Sequence, residues 1–474
     1  KELITLALNS GKHVVTANKA VIFEHGEELI NLAKKNNVKL LFESAVCAGT
    51  PAIKMLSNDL TANKISKVAG MLNGTTNFIL SSMEEGASYE AVLKEAQEKG
   101  YAEPDPSLDV NGTDAAHKIG MLPETLREKN LYEMGDTTPF GQVLDYCLMP
   151  EVWKRLKRTS DFDRRVKEIE KFNKENQWKK RGISMIPLKY GLGYNLGLLM
   201  QGTALIDIYA NDGSVLVQHG GVEMGQGIMT KIAQIAAETL NVPMEYIEMS
   251  SMKTSAVANS TSTGATSGTV INGGAVRKAC EQQVERFEKM CTDLLVEKGN
   301  NWCKQHGIDF WNYKKKGWRE IVTTDLHGNK VTQIMWQNIV SMAYSRAIDL
   351  SSQATHNTSG MQGPSGTLTG DKQFYGFTYS SACTEVEIDV LTGVTSVVRS
   401  DLLYDIGKSI NPAVDIGQVE GAFVMGLGYM TTEYWVTETE KNKSTPIGAL
   451  NTKNTWTYKP PASTISLNWR KISA

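Results

Sequence analysis

The sequence predicts an α+β (mixed α/β) fold built from two unrelated partial domains. Three observations carry this expectation. The 474 residues exceed what one ordinary core organises, so the length points to two to four domains. The apolar pattern changes along the chain, from helical segments with few strands before residue 181 to many short strands between glycine turns after it. The stretch "TDAAHKIGMLPETLREKN", from Thr113 to Asn130, joins segments of different character with no Gly/Ser/Pro-rich linker between them.

The elements follow in order. Apolar residues recur at helical spacing from Lys1 to Ser10 and from Glu27 to Lys35. Between them "HVVTANKA" predicts a short strand, His13 to Thr16, running into a loop, and "VKLLFESAV" predicts a second strand. "KISKVAGMLNGTTNFIL" predicts a strand, a glycine-marked turn and a helix start. "YEAVLKEAQEKG" predicts a helix ended by Gly100, followed by a loop rich in Pro, Asp and Gly. Glu151 to Lys180 is charged and amphipathic. "ALIDIYANDGSVLVQHGG" reads as strand, "NDG" turn and strand, and "YGFTYSSACTEVEIDVLTGVTSVVRSDLLYDIG" as a second set of hairpin strands. Helices are expected near Lys231–Leu240 and Ala275–Cys291. "HNTSGMQGPSGTLTGD" has the composition of a long surface loop.

Composition narrows the function. The chain is 41% hydrophobic and 22% charged, with a formal net charge of -2. Bulk charge therefore offers no attraction for nucleic acid or a membrane surface. The longest apolar runs, such as "LGLLM" from Leu196, fall far short of a membrane span. The six cysteines (Cys47, Cys147, Cys280, Cys291, Cys303, Cys383) form no CxxC pair, and the seven histidines no HxxxH or HExxH group. That pattern argues against a zinc or iron–sulfur site and fits thiols in a reducing, cytoplasmic compartment. Lys1 is not a start residue and no signal peptide follows it, so the N-terminus is expected to be cut rather than processed.

Two constellations carry chemistry. In "YAEPDPSLDVNGTDAAHK" four carboxylates, Glu103, Asp105, Asp109 and Asp114, crowd a loop that leads into a helix closed by Lys118. Asp114 and Lys118 are four apart and share one helical face. Alone, such a pair is an exposed ion pair worth a few tenths of a kcal/mol, on the order of 0.3. The acidic loop, Lys19 in "TANK" and the turn "LNGTTN" favour a polar-substrate site in which a lysine moves a proton to or from an oxygen. With "VVTANKA", "FESAVCAGTP", "GMLNGTTNFIL" and "GYAEPDPSLDVNGTDAAHK" in order, residues 1–118 resemble homoserine dehydrogenase. The resemblance implies NAD(P)-dependent interconversion of aspartate semialdehyde and homoserine. Lys19 and Lys118 would be its catalytic lysines with Asp114 as their partner, and Glu103 and Asp109 would bind substrate. It also implies an alkali-cation (Na+/K+) loop of mainly backbone oxygens at Glu43, Val46, Ala48 and Thr50. Cys47 stands where a glycine is commoner. The family's GxGxxG dinucleotide fold is expected to precede Lys1, which leaves the cofactor site missing.

The second constellation is a set of glycine-rich blocks. "HGGVEMGQGIMTK" places Gln226 in a tight loop between a strand and a helix, where backbone amides can approach an anion. "TSTGATSG" and "DIGKSINPAVDIGQVEGAFVMGLG" follow. Each alone is most often only a turn. Together with "GDTTPFGQ", "KFNKENQWKKRGISMIPLKYG" and "TEVEIDVLTG", they make residues 120–474 resemble the molybdopterin-binding portion of xanthine dehydrogenase and aldehyde oxidase. The fold implied is multi-lobed, of short strands and helices. The reaction implied is hydroxylation of a purine or aldehyde carbon with water as oxygen source, on a molybdenum–molybdopterin cofactor. Gly225, Gln226 and Gly227 would contact that cofactor, and Thr263, Gly264, Ala265 and Thr266 would form part of the pterin and substrate wall. This chain has "TGAT" where T-A-A-S is frequent and Met425 where the family usually has glutamine. An arginine-bearing "FRGFGG" block is expected upstream of Glu124, and a "GEPP" block with the general base beyond Ala474.

The domains expected are therefore 1–118, homoserine dehydrogenase-like; 119–180, the end portion of a first molybdopterin subdomain; and 181–474, a truncated second one. The chain reads as an oxidoreductase-derived fusion of two incomplete fragments, catalytically incomplete by itself, joined by gene-model error, recombination or construction. Homoserine dehydrogenase activity and a non-enzymatic folded remnant are the alternatives. Partners expected are small molecules and, since both families are typically homodimers, a second copy.

Overall fold

The computed structural model describes residues 1–47, 50, 52–59, 70, 73–84, 87–102, 106, 121–194, 197–308, 320–324, 330–358, 373–438, 446–461 and 472–473. The chain opens with helix α1 (Glu2–Asn9), strand β1 (Val14–Val15), helix α2 (Lys19–Lys35) and strand β2 (Leu40–Leu41). β1 and β2 pair in parallel, with Val14 opposite Leu40 and Val15 opposite Leu41, so α2 is the crossover of a βαβ unit. Leu8, Leu29 and Ala33 are its buried centre, with Val14, Leu32 and Leu40 packed around them. The loop expected at "TANKA" ends sooner than expected. Asn18 Oδ1 accepts from the Val21 amide at 3.1 Å, and this cap starts α2 at Lys19. The expected strand "VKLLFESAV" shrinks to two residues, because helix α3 (Glu43–Val46) begins directly after it. Of the strand expected over "KISKVAG", all but Gly70 lies outside the described residues. Helices α4 (Gly74–Glu84) and α5 (Tyr89–Glu98) pack together, and Gly100 follows α5 at φ +71, a left-handed position that glycine occupies without strain.

From residue 121 the described chain builds two four-stranded sheets. The first has the order β12-β11-β10-β3, with β3 Lys179–Leu192, β10 Gly376–Asp389, β11 Thr395–Tyr404 and β12 Ile472–Ser473. The expected hairpin is β10 and β11, with Ser380 opposite Tyr404 and Ile388 opposite Thr395. β3 is a single strand of 14 residues where shorter ones were expected, because it stays in register with β10 throughout its length. Helices α6 (Pro123–Lys129), α7 (Met149–Thr159) and α8 (Phe162–Glu175) lie against this sheet. The amphipathic pattern of residues 151–180 thus resolves into two helices, whose Val152, Trp153, Leu156 and Phe162 meet Met185, Cys383 and Leu403.

The second sheet has the order β6-β5-β4-β9, with β4 Gln201–Ile208, β5 Val215–His219, β6 Ile247–Met249 and β9 Ser351–Asn357. β4 and β5 are the expected antiparallel hairpin, Ile206 opposite Val217. Gly213 turns it at φ +75, and the buried Trp336 indole donates to the Gly213 carbonyl at 2.7 Å. Helices α9 (Ile228–Leu240) and α10 (Gly268–Lys298) cover this sheet, and Ala204, Ile206, Val215, Val217, Ile232 and Val276 make up much of its core. Both expected helices are present, α10 extending well past the expected Ala275–Cys291. α11 (Asn300–Gln305) and α12 (Met335–Ser345) flank a hairpin of β7 (Glu320–Thr324) and β8 (Lys330–Ile334). The expected surface loop lies outside the described residues from 359 to 371. The glycine-rich block after Asn411 is a helix, α13 (Pro412–Thr431), started by Asn411 accepting from the Val414 amide at 3.1 Å, with Pro412 in the first turn.

Candidate functional site

Two loops and a helix distant in sequence converge on one cleft of about 390 Å³, lined by Gln226, Thr263, Gly264, Ala265 and Thr266 together with Lys231, Asp415 and Gln418. The first loop leaves β5 at His219 and reaches α9 through "GGVEMGQG". Gly225 and Gly227 take φ +99 and +72, and a side chain on Gly227 would sit 2.8 Å from Val414 Cγ1, so neither position accommodates another residue without strain. Their amides are occupied from within the chain. Glu223 Oε1 accepts from Gly225 and Gly227 at 2.8 and 3.0 Å, and Oε2 accepts from Met229 at 3.1 Å. Burial raises the Glu223 carboxyl, but the hydrogen bonds from Met229, Gly227, Gly225 and Ile228 outweigh it and hold the group below its ordinary range. The Gln226 side chain closes the same turn, accepting from Met224 N at 2.6 Å and donating to Val222 O at 2.7 Å.

The second loop precedes α10. Ala265 and Thr266 both lie in the left-handed region, at φ +48 and +57, a strain on the order of 1–3 kcal/mol each that surrounding contacts must hold. Those contacts are visible: Gly193 N donates to Ala265 O at 2.8 Å, and Thr263 Oγ1 accepts from Val222 N at 2.8 Å, tying this loop to the first. Ser267, at the start of α10, turns its hydroxyl back to Gly264 O at 2.8 Å, so no side chain caps the helix, and its first turn holds no acidic residue. The third wall is α13. Gln418 Nε2 donates to Gly225 O at 3.2 Å, and Asp415 Oδ1 lies 2.7 Å from Lys231 Nζ. Burial pushes the Asp415 carboxyl up, and its bonds with Lys231 and Ser409 bring it below its ordinary range.

His219 lies at the root of the first loop. It is 6% exposed, and burial pushes its pKa down to about 4 against a smaller opposing pull from Glu223. Nδ1 accepts from Gly221 N at 3.0 Å, which puts the proton of the neutral ring on Nε2. Nε2 and the neighbouring Asn272 Oδ1 are buried with no hydrogen-bond partner among the described residues.

Of the residues expected in the first constellation, Glu103, Asp109, Asp114 and Lys118 lie outside the described residues. Lys19 is exposed at the first turn of α2. Glu43 begins α3 and its carboxylate accepts from the Ile53 and Lys54 amides at 2.8 and 2.9 Å. Val46 ends α3, Ala48 lies outside the described residues, and Thr50 O accepts from Ala52 N at 2.8 Å. No cluster of three His, Cys, Asp or Glu able to hold a metal occurs among the described residues.

Sequence reasoning brought Gln226 and the "TGAT" residues to one cleft but missed four groups. Glu223 was legible as a carboxylate just ahead of a helix start, and Asp415 and Gln418 as an i, i+3 pair on one helix face once α13 is recognised. His219 had no local signal, since only its burial makes it unusual.

Comparison with known proteins adds three family matches. Residues 155–465 match the molybdopterin cofactor-binding domain. Residues 51–143 match homoserine dehydrogenase, and residues 1–43 match the NAD binding domain of homoserine dehydrogenase. Part of the nucleotide-binding fold, the βαβ unit, is therefore within the chain, where the sequence had suggested none. The homoserine dehydrogenase match runs to 143, yet Arg127 Nη1 donates to Met185 O at 3.2 Å and Gln142 Oε1 accepts from Gln373 N and Phe374 N at 3.0 Å, contacts that join residues 123–143 to β3 and to the segment leading into β10. Over 350 residues the chain is 38% identical to xanthine dehydrogenase/oxidase of Mus musculus, covering 74% of this chain and 23% of that protein. It is 35% identical over 367 residues to aldehyde oxidase 1 of Bos taurus, covering 77% of this chain and 24% of that one. The reconstituted CO dehydrogenase from Oligotropha carboxidovorans shares the fold, with a TM-score of 0.56 at 17% identity over 84% of this chain and 45% of its own. No helix among the described residues is long and apolar enough to cross a membrane.

Proposed function

The chain belongs to the molybdopterin cofactor-binding domain family, and from that premise we propose that the cleft between the 222–227 loop, the 263–266 loop and α13 holds the pterin cofactor of a xanthine dehydrogenase-like molybdenum hydroxylase. The observation that carries this is the convergence of the two loops, cross-tied by Val222 and Thr263, on one cleft beside an uncapped helix start. The cofactor fits what is there. Gly227 is packed against Val414 with no room for a side chain, and the strained Ala265–Thr266 pair delivers an uncapped first turn of α10, whose amides and positive dipole end suit an anionic group. Bound there, the molybdenum group would supply oxygen transfer to a purine or aldehyde carbon.

The chain's own residues bind and orient. Thr263 to Thr266 form a wall, and Gln226 and Gln418 fix the turn at Gly225. Asp415 is ionised and paired with Lys231, so it ties α13 to α9 rather than moving a proton. A reducing cytoplasmic setting and a homodimer go with this reading, as does a junction near residue 119. The test is molybdenum and pterin content of the purified chain after loading and gel filtration. About one cofactor per chain is expected, with at least about a tenfold weaker hold in Gly227→Ala, corresponding to roughly 1.4 kcal/mol. Equal retention by both proteins, or none by either, would overturn the assignment.

A second reading rests on the βαβ unit, with Lys19 exposed at the start of α2, and the two homoserine dehydrogenase matches. Residues 1–118 would use Lys19, Asp114 and Lys118 for proton handling and Glu103 and Asp109 for homoserine, with NAD(P) as cofactor. Homoserine-dependent reduction of NADP, abolished in Lys118→Met, tests it. Absence of both cofactor retention and NADPH formation leaves a non-enzymatic folded protein.

A further inference from the structure

We infer that Glu223 is the resident anion of the α9 N-terminus, a positioning residue that keeps cofactor anions away from those amides and holds the turn carrying Gln226. The inference deepens the proposed function and rests on it only for what the cleft receives.

The sequence "EMGQG" suggests amides awaiting an anion from outside. In the structure those amides are already used. Gly225, Gly227 and Met229 donate to the two Glu223 oxygens at 2.8, 3.0 and 3.1 Å. The positive φ of both glycines is what turns successive amides towards one carboxylate. The bonds are charge-assisted and lie at the positive end of a 13-residue helix, so the carboxylate is favoured there twice over. The rest of the loop is also engaged: Gln226 spans Met224 N and Val222 O, Gln418 holds Gly225 O, and Met252 Sδ accepts from Glu223 N at 3.0 Å. An incoming phosphate would have to break three bonds and expel a carboxylate into a cleft that also holds Asp415. Intramolecular attachment gives the carboxylate a large effective concentration over any free anion.

The experiment uses the full chain, with Glu223→Ala and Glu223→Gln. Amide hydrogen exchange at residues 225–229 is read by mass spectrometry in chloride, acetate and inorganic phosphate at matched ionic strength. In the unaltered chain, exchange at these amides should be the same in all three salts. In Glu223→Ala it should be about tenfold faster in chloride. Acetate, the excised carboxylate, should slow it towards the original rate. Glu223→Gln keeps one acceptor oxygen and should fall between, and it serves if the alanine variant does not fold. Phosphate altering protection of these amides in the unaltered chain would overturn the inference. So would unchanged exchange in both variants, or acetate acting no better than chloride. None of these readings depends on cofactor loading, so a chain that retains no molybdenum would sink the proposed function while leaving this result intact.

Discussion

His219 shows how one buried side chain sets a pH dependence for the site. Its folded pKa, about 4, lies below the ordinary value of 6.5. Between those values the unfolded chain binds the proton and the folded one does not, so stability rises with pH through this window. The contribution is fully present above about pH 6.5 and is lost as pH falls towards 4, amounting to about 3 kcal/mol. His219→Asn, which can still offer an acceptor to Gly221 N, is expected to flatten that slope. Denaturant midpoints measured from pH 4 to 7 check it: a slope unchanged by the substitution would place the proton linkage elsewhere. Gly227 makes a separate point at this scale. A glycine turn was legible in "GQG", but the close approach of Val414, on α13 almost 190 positions later, was not, and no local pattern carries it.

Among the elements, α8 is fixed to its sheet by charge as well as by apolar packing. Arg165, with a side chain 6% exposed, lies 2.8 Å from Glu385 on β10 and 2.9 Å from Asp401 on β11. Arg181 on β3 and Arg399 on β11 reach the same two carboxylates from their outer sides. Removing the buried guanidinium takes away the partner that Glu385 and Asp401 share and leaves them only the more exposed Arg181 and Arg399, which costs more than the pairing itself contributes. Arg165→Leu is expected to destabilise this unit by about 3–5 kcal/mol. The triple replacement with Glu385→Gln and Asp401→Asn should recover part of that loss. Equilibrium unfolding of the two proteins checks both halves, and a triple variant less stable than the single one would contradict the desolvation account. The sequence showed α8 as an amphipathic stretch but gave no reason to single out Arg165 among its many charges. Its partners are more than 200 residues away, so only the fold brings them together. α13 escapes the sequence pattern for the opposite reason: four glycines, each costing about 1 kcal/mol in a helix interior, obscure a cap and first-turn proline that do start a helix.

Across the whole chain the family matches fall to two unrelated families, homoserine dehydrogenase and the molybdopterin cofactor-binding domain, and that much was legible. Periodicity located most of the helices and both long hairpins, because amphipathic faces and glycine turns are local signals. It found the shortest strands but overextended them, since β1 and β2 keep only two residues each of the segments His13–Thr16 and "VKLLFESAV", and it could not order the strands within a sheet. The elements before residue 103 pack mainly on one another, and those after 121 likewise. β1 and β2 pair together while β5 pairs with β4 and β6, so no strand of the first unit enters the sheets of the second among the described residues. If each core is energetically its own, damage to one should not be felt in the other. Leu29 is fully buried in the small first core, and truncating it removes methylene burial and leaves a cavity, a loss of about 2–5 kcal/mol. Leu29→Ala should therefore speed amide exchange across residues 2–41 while leaving β3, β4 and β10 at their original rates. Arg165→Leu should do the converse. Exchange that accelerates in both units from either substitution would mean that the two cores unfold as one, and the independence inferred from their separate packing would fail.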